Sequence, residues 1–294
     1  MEYRTLGRTG LKVSAIGFGA LSVGRNWPYW RREQHDFTRP DEDRAIELLK
    51  SAVDAGVNFF DTAPAYFRSE EIMGRAFKGM REKVIIATKC GEWFDGEHSV
   101  YNYSYDETKK FIENSLRLLQ TDYVDLLQIH SASPDVIRAG ETLAAMKDAQ
   151  REGKVRFLGL STEYEEAARL AIESNEYDTI QISYNLNKRM LGDALLPLAE
   201  RNAVGVIVKD SLAQGKLTDK SADVADQNER DKIERYRAAA AEASLTLPEL
   251  ALRFSMTPSA VSTVIVGTKD KAHFTANVKA AEAGVLPHEL FTRI

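Results

Sequence analysis

One local pattern recurs eight times along this chain: a short, nearly continuous apolar run rich in β-branched residues, then a longer stretch with helical periodicity. "VSAIGFGA" precedes "DEDRAIELLKSAVDAG", which stops at Gly56; "VNFFDTA" precedes "EEIMGRAFKGM"; "KVIIATK" precedes "ETKKFIENSLRLLQ". The series continues with "YVDLLQIH" and "AGETLAAMKDAQREG", "VRFLGLST" and "EEAARLAIESN", then "DTIQISYN" and "GDALLPLAERN". "VGVIV" with a later helix and "STVIVGT" with "KDKAHFTANVKAAEAG" complete it. In the third helix Phe111, Ile112, Ser115, Leu116 and Leu119 share one side, the spacing of a face laid on a sheet. Strands that are apolar at consecutive positions are covered on both faces, as parallel strands with crossover helices are. Eight such units predict an α/β chain closed as a (β/α)8 TIM barrel, with "EYRTLGRTGLKVS" as a short N-terminal β-hairpin. The competing topology is an open doubly wound sheet. Its usual mark, G-x-G-x-x-G after the first strand, is missing. No linker or low-complexity tract interrupts the series, so residues 1–294 read as a single domain.

A barrel of this length buries enough apolar surface to need no disulfide or metal staple. The formal net charge of -5 and the scattered basic residues argue against nucleic acid and anionic membranes as partners. Apolar runs such as "VGVIV" are far too short to span a bilayer. The single Cys90 cannot form an internal disulfide and the N-terminus lacks an apolar signal core, so the expected location is the cytoplasm. Oligomeric state is not legible. His35 and His98 lack metal-ligand spacing, and no metal is expected.

Three connections exceed what a βα turn requires: "GRNWPYWRREQHDFTRP", "CGEWFDGEHSVYNYSY" and "SLAQGKLTDKSADVADQ". All follow strands and so belong to the C-terminal rim, where barrel enzymes work. Trp27, Tyr29, Trp30, Trp93 and Phe94 in the first two are expected either to wall a substrate pocket or to pin the loops down.

Three adjacent strands end at this rim in titratable residues: Asp61, Lys89 and His130. Tyr66 follows Asp61 by one short turn. A phenol near a pKa of ~10 is a weak acid at neutral pH. An ammonium beside it would lower that value, Lys89 can supply the charge, and Asp61 can hold Lys89 charged. His130 can bond a substrate oxygen or relay a proton. The expected chemistry is proton donation to a carbonyl. Taken singly, each residue has a plainer reading: Asp61 as a helix cap, Tyr66 as a half-buried ring, Lys89 as a solvated strand end, His130 as a structural histidine. Their joint placement favours catalysis.

"GFGAL", "FFDTAPAYF", "ATKCG", "DYVDLLQIHS", "GKVRFLGLS", "QISYN", "LAQGKLT" and "VIVGTKDKAHFTANVKA" stand in the order found in the aldo-keto reductases, and over nearly its whole length the chain resembles that family. The resemblance implies a (β/α)8 barrel that binds NADPH, or NADH, and interconverts a carbonyl and an alcohol. The family's tetrad then falls on Asp61, Tyr66, Lys89 and His130, with Tyr66 as general acid/base. Its nicotinamide contacts fall on Ser161, Thr162 (where the family usually has Asn) and Gln181. Its pyrophosphate loop corresponds to "KDSLAQGK", with Lys209, Asp210, Ser211, Leu212, Gly215 and Lys216. Lys209 stands where many relatives carry an aromatic ring. The 2′-phosphate positions correspond to Gly267, Thr268, Lys269, His273 and Asn277 at the opening of the eighth helix. Two other classes remain open on residues alone. They are a non-catalytic nucleotide-binding barrel and a Schiff-base enzyme using Lys89.

Overall fold

The computed structural model describes residues 1–25, 41–220 and 224–294. Eight parallel strands close a barrel in sequential order, each paired with its chain neighbours. They are β1 (Ile16–Gly19), β2 (Phe59–Asp61), β3 (Ile85–Cys90), β4 (Val124–Ile129), β5 (Val155–Ser161), β6 (Thr179–Ser183), β7 (Gly205–Lys209) and β8 (Val261–Val266). β8 pairs with β1 through Val264↔Ile16 and Val266↔Phe18, which closes the ring. The open-sheet alternative is thereby excluded.

The surrounding helices are α1 (Glu42–Asp54), α2 (Ser69–Ala76), α3 (Tyr105–Leu119), α4 (Glu141–Arg151), α5 (Glu165–Ser174), α6 (Met190–Arg201), α7 (Leu247–Met256) and α8 (Lys271–Glu282). Each start has a local cause where a cap exists. Asp41 accepts from Arg44 N–H ahead of α1, Ser104 caps α3, and Thr246 with Glu249 forms a reciprocal box at α7. On α3 the buried residues are Thr108, Phe111, Ile112, Ser115, Leu116 and Leu119, the face read from spacing. The run "ERYRAAAAEA" forms part of an additional helix, Gln227–Glu242, that packs outside α7.

Side chains alternate along each strand between two apolar regions. One lies between strands and helices, with Phe18, Phe60, Leu127 and Ile129. The other fills the barrel's lower half with Phe59, Ala87, Leu126, Ile207 and Ile265. Leu6 and Val13 close it from below. They belong to the N-terminal segment whose strands Tyr3–Thr5 and Lys12–Ser14 pair antiparallel as anticipated. The rim segment after β3 forms a second hairpin, Glu92–Phe94 with Ser99–Tyr101, turning through Asp95 and Gly96. Asp95 N–H donates to the His98 carbonyl, and Gly96 at φ +114° makes the reversal.

Candidate active site

Two residues along a strand restore the same face, about 6.6 Å higher. Stepping up by two from the lower layer therefore names the next: Phe59 leads to Asp61, Ala87 to Lys89, Leu126 to Gln128, Ile207 to Lys209 and Ile265 to Gly267. The inner wall changes from apolar to polar in one step, at the C-terminal end.

Asp61 and Lys89 are buried there at 1% and 0% exposure. Lys89 Nζ donates to Asp61 Oδ2 at 2.6 Å and to the Thr62 carbonyl at 2.8 Å. The other carboxylate oxygen, Oδ1, accepts from Gln128 Nε2 at 3.1 Å and Gln181 Nε2 at 2.8 Å. Sequence reasoning missed Gln128, whose only signal is its place two residues after Leu126. Gly159 makes room for it: a Cβ there would lie 3.0 Å from Gln128 Cγ and 2.4 Å from Thr179 Oγ1. Burial lowers the pKa of Lys89, and the Asp61 carboxylate opposes that shift.

Tyr66 ends the short turn Pro64–Tyr66 after β2, and its half-buried ring reaches back over this layer. Lys89 Nζ lies 4.8 Å from the ring centroid, and the His130 ring meets it edge-on at 5.7 Å. The structure thus brings Asp61, Tyr66, Lys89 and His130 together. Burial, then the Asp61 and Glu92 carboxylates, push the phenol well above its ordinary pKa, and Arg25 works against them.

His130 follows β4, and its pKa is lowered well below normal by burial, Lys89, Lys209 and Arg25, so the ring is neutral. Its buried Nδ1 stands 3.1 Å from Glu92 Oε2. Glu92, the first residue of the rim hairpin, is 6% exposed and was another omission. Arg25 lies over the Phe94 ring, 4.4 Å from its centroid.

Around β5 to β7, Ser161 Oγ donates to Gln181 Oε1 at 3.4 Å and Lys209 Nζ donates to Ser161 Oγ at 3.2 Å. Lys209 also pairs with Glu163 at 3.2 Å. Thr162 does not join this group. Its hydroxyl donates to the Ala132 carbonyl and accepts from Tyr164 N–H, so it has no hydrogen left for a ligand. Past β7, Asp210, Ala213, Gln214 and Gly215 all adopt positive φ, a strained turn of the kind that gathers backbone donors. Ser211 is buried and Leu212 partly so. Lys216 pairs with Glu229 at 2.8 Å.

At the opening of α8, Lys269 and His273 are exposed and Asn277 is buried. Thr268 Oγ1 accepts from Asp270 N–H, and the Asp270 carboxylate caps the helix through His273 N–H at 2.9 Å. Beside it, the buried Ser22 hydroxyl has no hydrogen-bond partner among the described residues, and Gly267 approaches so closely that a Cβ would sit 3.1 Å from the Gly19 carbonyl. This orphaned hydroxyl and side-chain-free edge fit an extended polar ligand laid across β8 and β1.

Trp93 packs on Phe111 of α3 with centroids 5.6 Å apart, a contact that pins the hairpin. Trp27, Tyr29 and Trp30, with His35, lie outside the described residues.

Behind Lys89, on the outer side of β3, Glu70 of α2 is 1% exposed. Its Oε1 accepts from Thr88 Oγ1 at 2.6 Å, while Oε2 makes no well-formed hydrogen bond although the Ser115 hydroxyl is near. Burial raises its pKa to about 7, and Thr88, Ser115 and Lys89 only partly offset this. A carboxyl that binds its proton more tightly when folded adds stability in full below its unfolded pKa. That stability is lost as pH rises through the folded value. Between about pH 4 and 8 the wild type should lose about 3 kcal/mol relative to Glu70→Gln. Denaturant melts of both proteins across that range check this, and parallel pH dependence would refute it.

A family model described as "Aldo/keto reductase family" matches residues 15–294. L-galactose dehydrogenase of Arabidopsis thaliana is 33% identical over 296 residues, covering 95% of this chain and 88% of the relative. The NADH-specific methylglyoxal reductase of Escherichia coli is 28% identical, with 95% and 93% covered. Among solved structures, an aldo-keto reductase from Bacillus halodurans in its holo form superposes with a TM-score of 0.86 at 29% identity, over 99% of this chain and 94% of that one.

Proposed function

The chain belongs to the aldo/keto reductase family, an NAD(P)-dependent oxidoreductase interconverting carbonyl and alcohol, and from that premise we propose that Asp61, Tyr66, Lys89 and His130 are its catalytic residues. The observation that carries the reading is the buried polar layer itself. A desolvated Lys89–Asp61 pair, anchored by Gln128 and Gln181, sits under a tyrosine whose hydroxyl makes no hydrogen bond to a described residue. Such a hydroxyl is placed to serve a substrate oxygen.

A bound nicotinamide cofactor supplies the hydride donor or acceptor. Ser161, Gln181 and Lys209 would hold its ring end, the strained Asp210–Gly215 turn and the Ser22–Gly267 edge its phosphates. The protein's own part is the proton. Tyr66, protonated across the neutral range, donates to a carbonyl oxygen. Buried Lys89 and Asp61 fix the floor beneath its ring, and His130 lines the same oxygen from the side. The Schiff-base reading is weakened by the Asp61 contact, which keeps the Lys89 amine engaged. The reading is completed by a small carbonyl or alcohol substrate and a cytoplasmic location, in keeping with the free, buried Cys90.

NADPH is the cofactor we assign, because Lys269, Thr268 and His273 cluster at the start of α8, where an added phosphate would meet the Lys269 ammonium and two further polar side chains. NADH is the second reading, favoured by one observation: Asp270 already occupies the helix cap with a negative charge. Following the absorbance of reduced nicotinamide with each cofactor and a panel of aldehydes and ketones tests the whole proposal. Absence of turnover with every pair would overturn it. For the cofactor, Lys269→Ala should weaken NADPH roughly tenfold and leave NADH nearly unchanged, as titrations of each cofactor would report. Equal effects would place the 2′-phosphate elsewhere.

A further inference from the structure

Phe67 stands at a backbone position made for glycine. It follows Tyr66 at φ 57° and ψ -99°, and Arg68 comes next at φ -95° and ψ 3°. Those are the central dihedrals of a type II′ turn over residues 66–69, whose first central position is dominated by glycine. For a bulky residue such a conformation is an outlier. The fold enforces it from both sides. Tyr66 N–H donates to the Ala63 carbonyl at 2.9 Å, and Gly24 presses so closely that a Cβ there would collide with the Tyr66 carbonyl oxygen. Arg68 is tied to Glu42 of α1 and, at 2.9 Å, to Glu71 of α2. Strain of this kind persists where the surroundings over-determine it, and it gathers at ligand sites. Burial does not account for the ring, which is 40% exposed. It meets Phe94 of the rim hairpin edge-on at 5.9 Å, and the Glu92–Phe94 strand of that hairpin packs on the Pro64–Tyr66 turn. An apolar ring thus stands at the mouth of the barrel, one residue from Tyr66. Left exposed, it offsets little of the strain it imposes; covered by a ligand, it would offset far more.

We propose that Phe67 is a specificity-determining residue, its ring the outer wall of the carbonyl site, selecting substrates that carry a planar apolar group such as phenyl on the reacting carbon. This rests on the assignment of Tyr66 to the substrate oxygen. The oxygen end is then held by the polar layer, and the substituent is left to the rim, where Phe67 directly follows Tyr66. A phenyl group there meets the ring edge-on or offset, the arrangements aromatic pairs prefer. It also takes apolar area on both partners out of water. A short aliphatic aldehyde reaches Tyr66 without covering the ring and gains neither. A polyhydroxy chain finds no donor or acceptor on a phenyl ring.

Wild type, Phe67→Gly and Phe67→Tyr test this. In thermal melts of the free proteins Phe67→Gly should unfold no lower than wild type, because glycine relaxes the turn. A fall of more than about 5 °C would make the ring a structural prop and overturn the proposal. With reduced nicotinamide cofactor, the ratio of kcat/KM for benzaldehyde to that for propanal should drop roughly tenfold in Phe67→Gly and hold within about twofold in Phe67→Tyr. The ratio cancels any general disturbance of Tyr66, so an unchanged ratio in Phe67→Gly would refute the selective role. Binding is read without turnover from the NMR line broadening of benzyl alcohol by the cofactor-free proteins. Wild type should broaden the aromatic signals and Phe67→Gly should not; equal broadening by the two would also overturn the proposal. If no aldehyde turns over, the catalytic reading fails, while the broadening result still decides whether the Phe67 ring binds a phenyl group.

Discussion

Tyr66→Phe should reduce turnover roughly 10³-fold while leaving the fold intact. The substitution removes a single oxygen that makes no hydrogen bond to a described residue, so thermal melts should coincide within about 0.5 kcal/mol. Cofactor titrations should coincide too, because the Tyr66 ring stays in place over Lys89. The pH profile adds a sharper discrimination. Burial and the Asp61 and Glu92 carboxylates hold the phenol protonated far into the alkaline range. Carbonyl reduction should therefore show no loss traceable to Tyr66 as pH rises through neutrality. A tyrosine made acidic by its lysine would lose its donor there. Residual activity within tenfold of wild type would remove Tyr66 from the chemistry.

The second large effect is an asymmetry between the two halves of the buried ion pair. Asp61→Asn leaves the Lys89 ammonium at zero exposure with neutral acceptors alone, the Thr62 carbonyl and the substituted amide's oxygen. Breaking a buried pair in this way costs about 3–5 kcal/mol. Lys89→Met leaves a carboxylate that keeps two amide donors, Gln128 and Gln181, so its stability cost should be smaller. Both single variants should lose activity. Replacing both residues should recover part of the stability and none of the turnover, since a neutral pair removes the orphaned charge without restoring the site. Denaturant melts of the three proteins decide it, and Lys89→Met proving the less stable single variant would contradict the network described.

Legibility from sequence followed what determines each feature. The eight units were readable because parallel strands and their covering helices impose separate periods on the chain, and the ring closed as that count implies. Asp61, Lys89 and His130 could be found because each stands at or next to the end of a strand. Gln128 and Glu92 could not be found in that way. The first needs the inward face of β4 to be known, and the second depends on a backbone reversal at Gly91. Charge balance was the least legible quantity. Lys89 was expected to act on Tyr66, and the Asp61 contact that tempers its charge is a matter of distance. For the same reason the Lys216–Glu229 pair and the Thr162–Ala132 hydrogen bond could not be read from the sequence.

The two-storey interior of the barrel has an evolutionary consequence. Each of five strands places an apolar residue below and, two positions on, the residue that stands above it. Selection for persistence of the fold and selection for a particular reaction thus act on separate positions of the same short segments. A lineage can exchange its upper-storey side chains, and the loops that follow them, while the floor beneath is inherited unaltered.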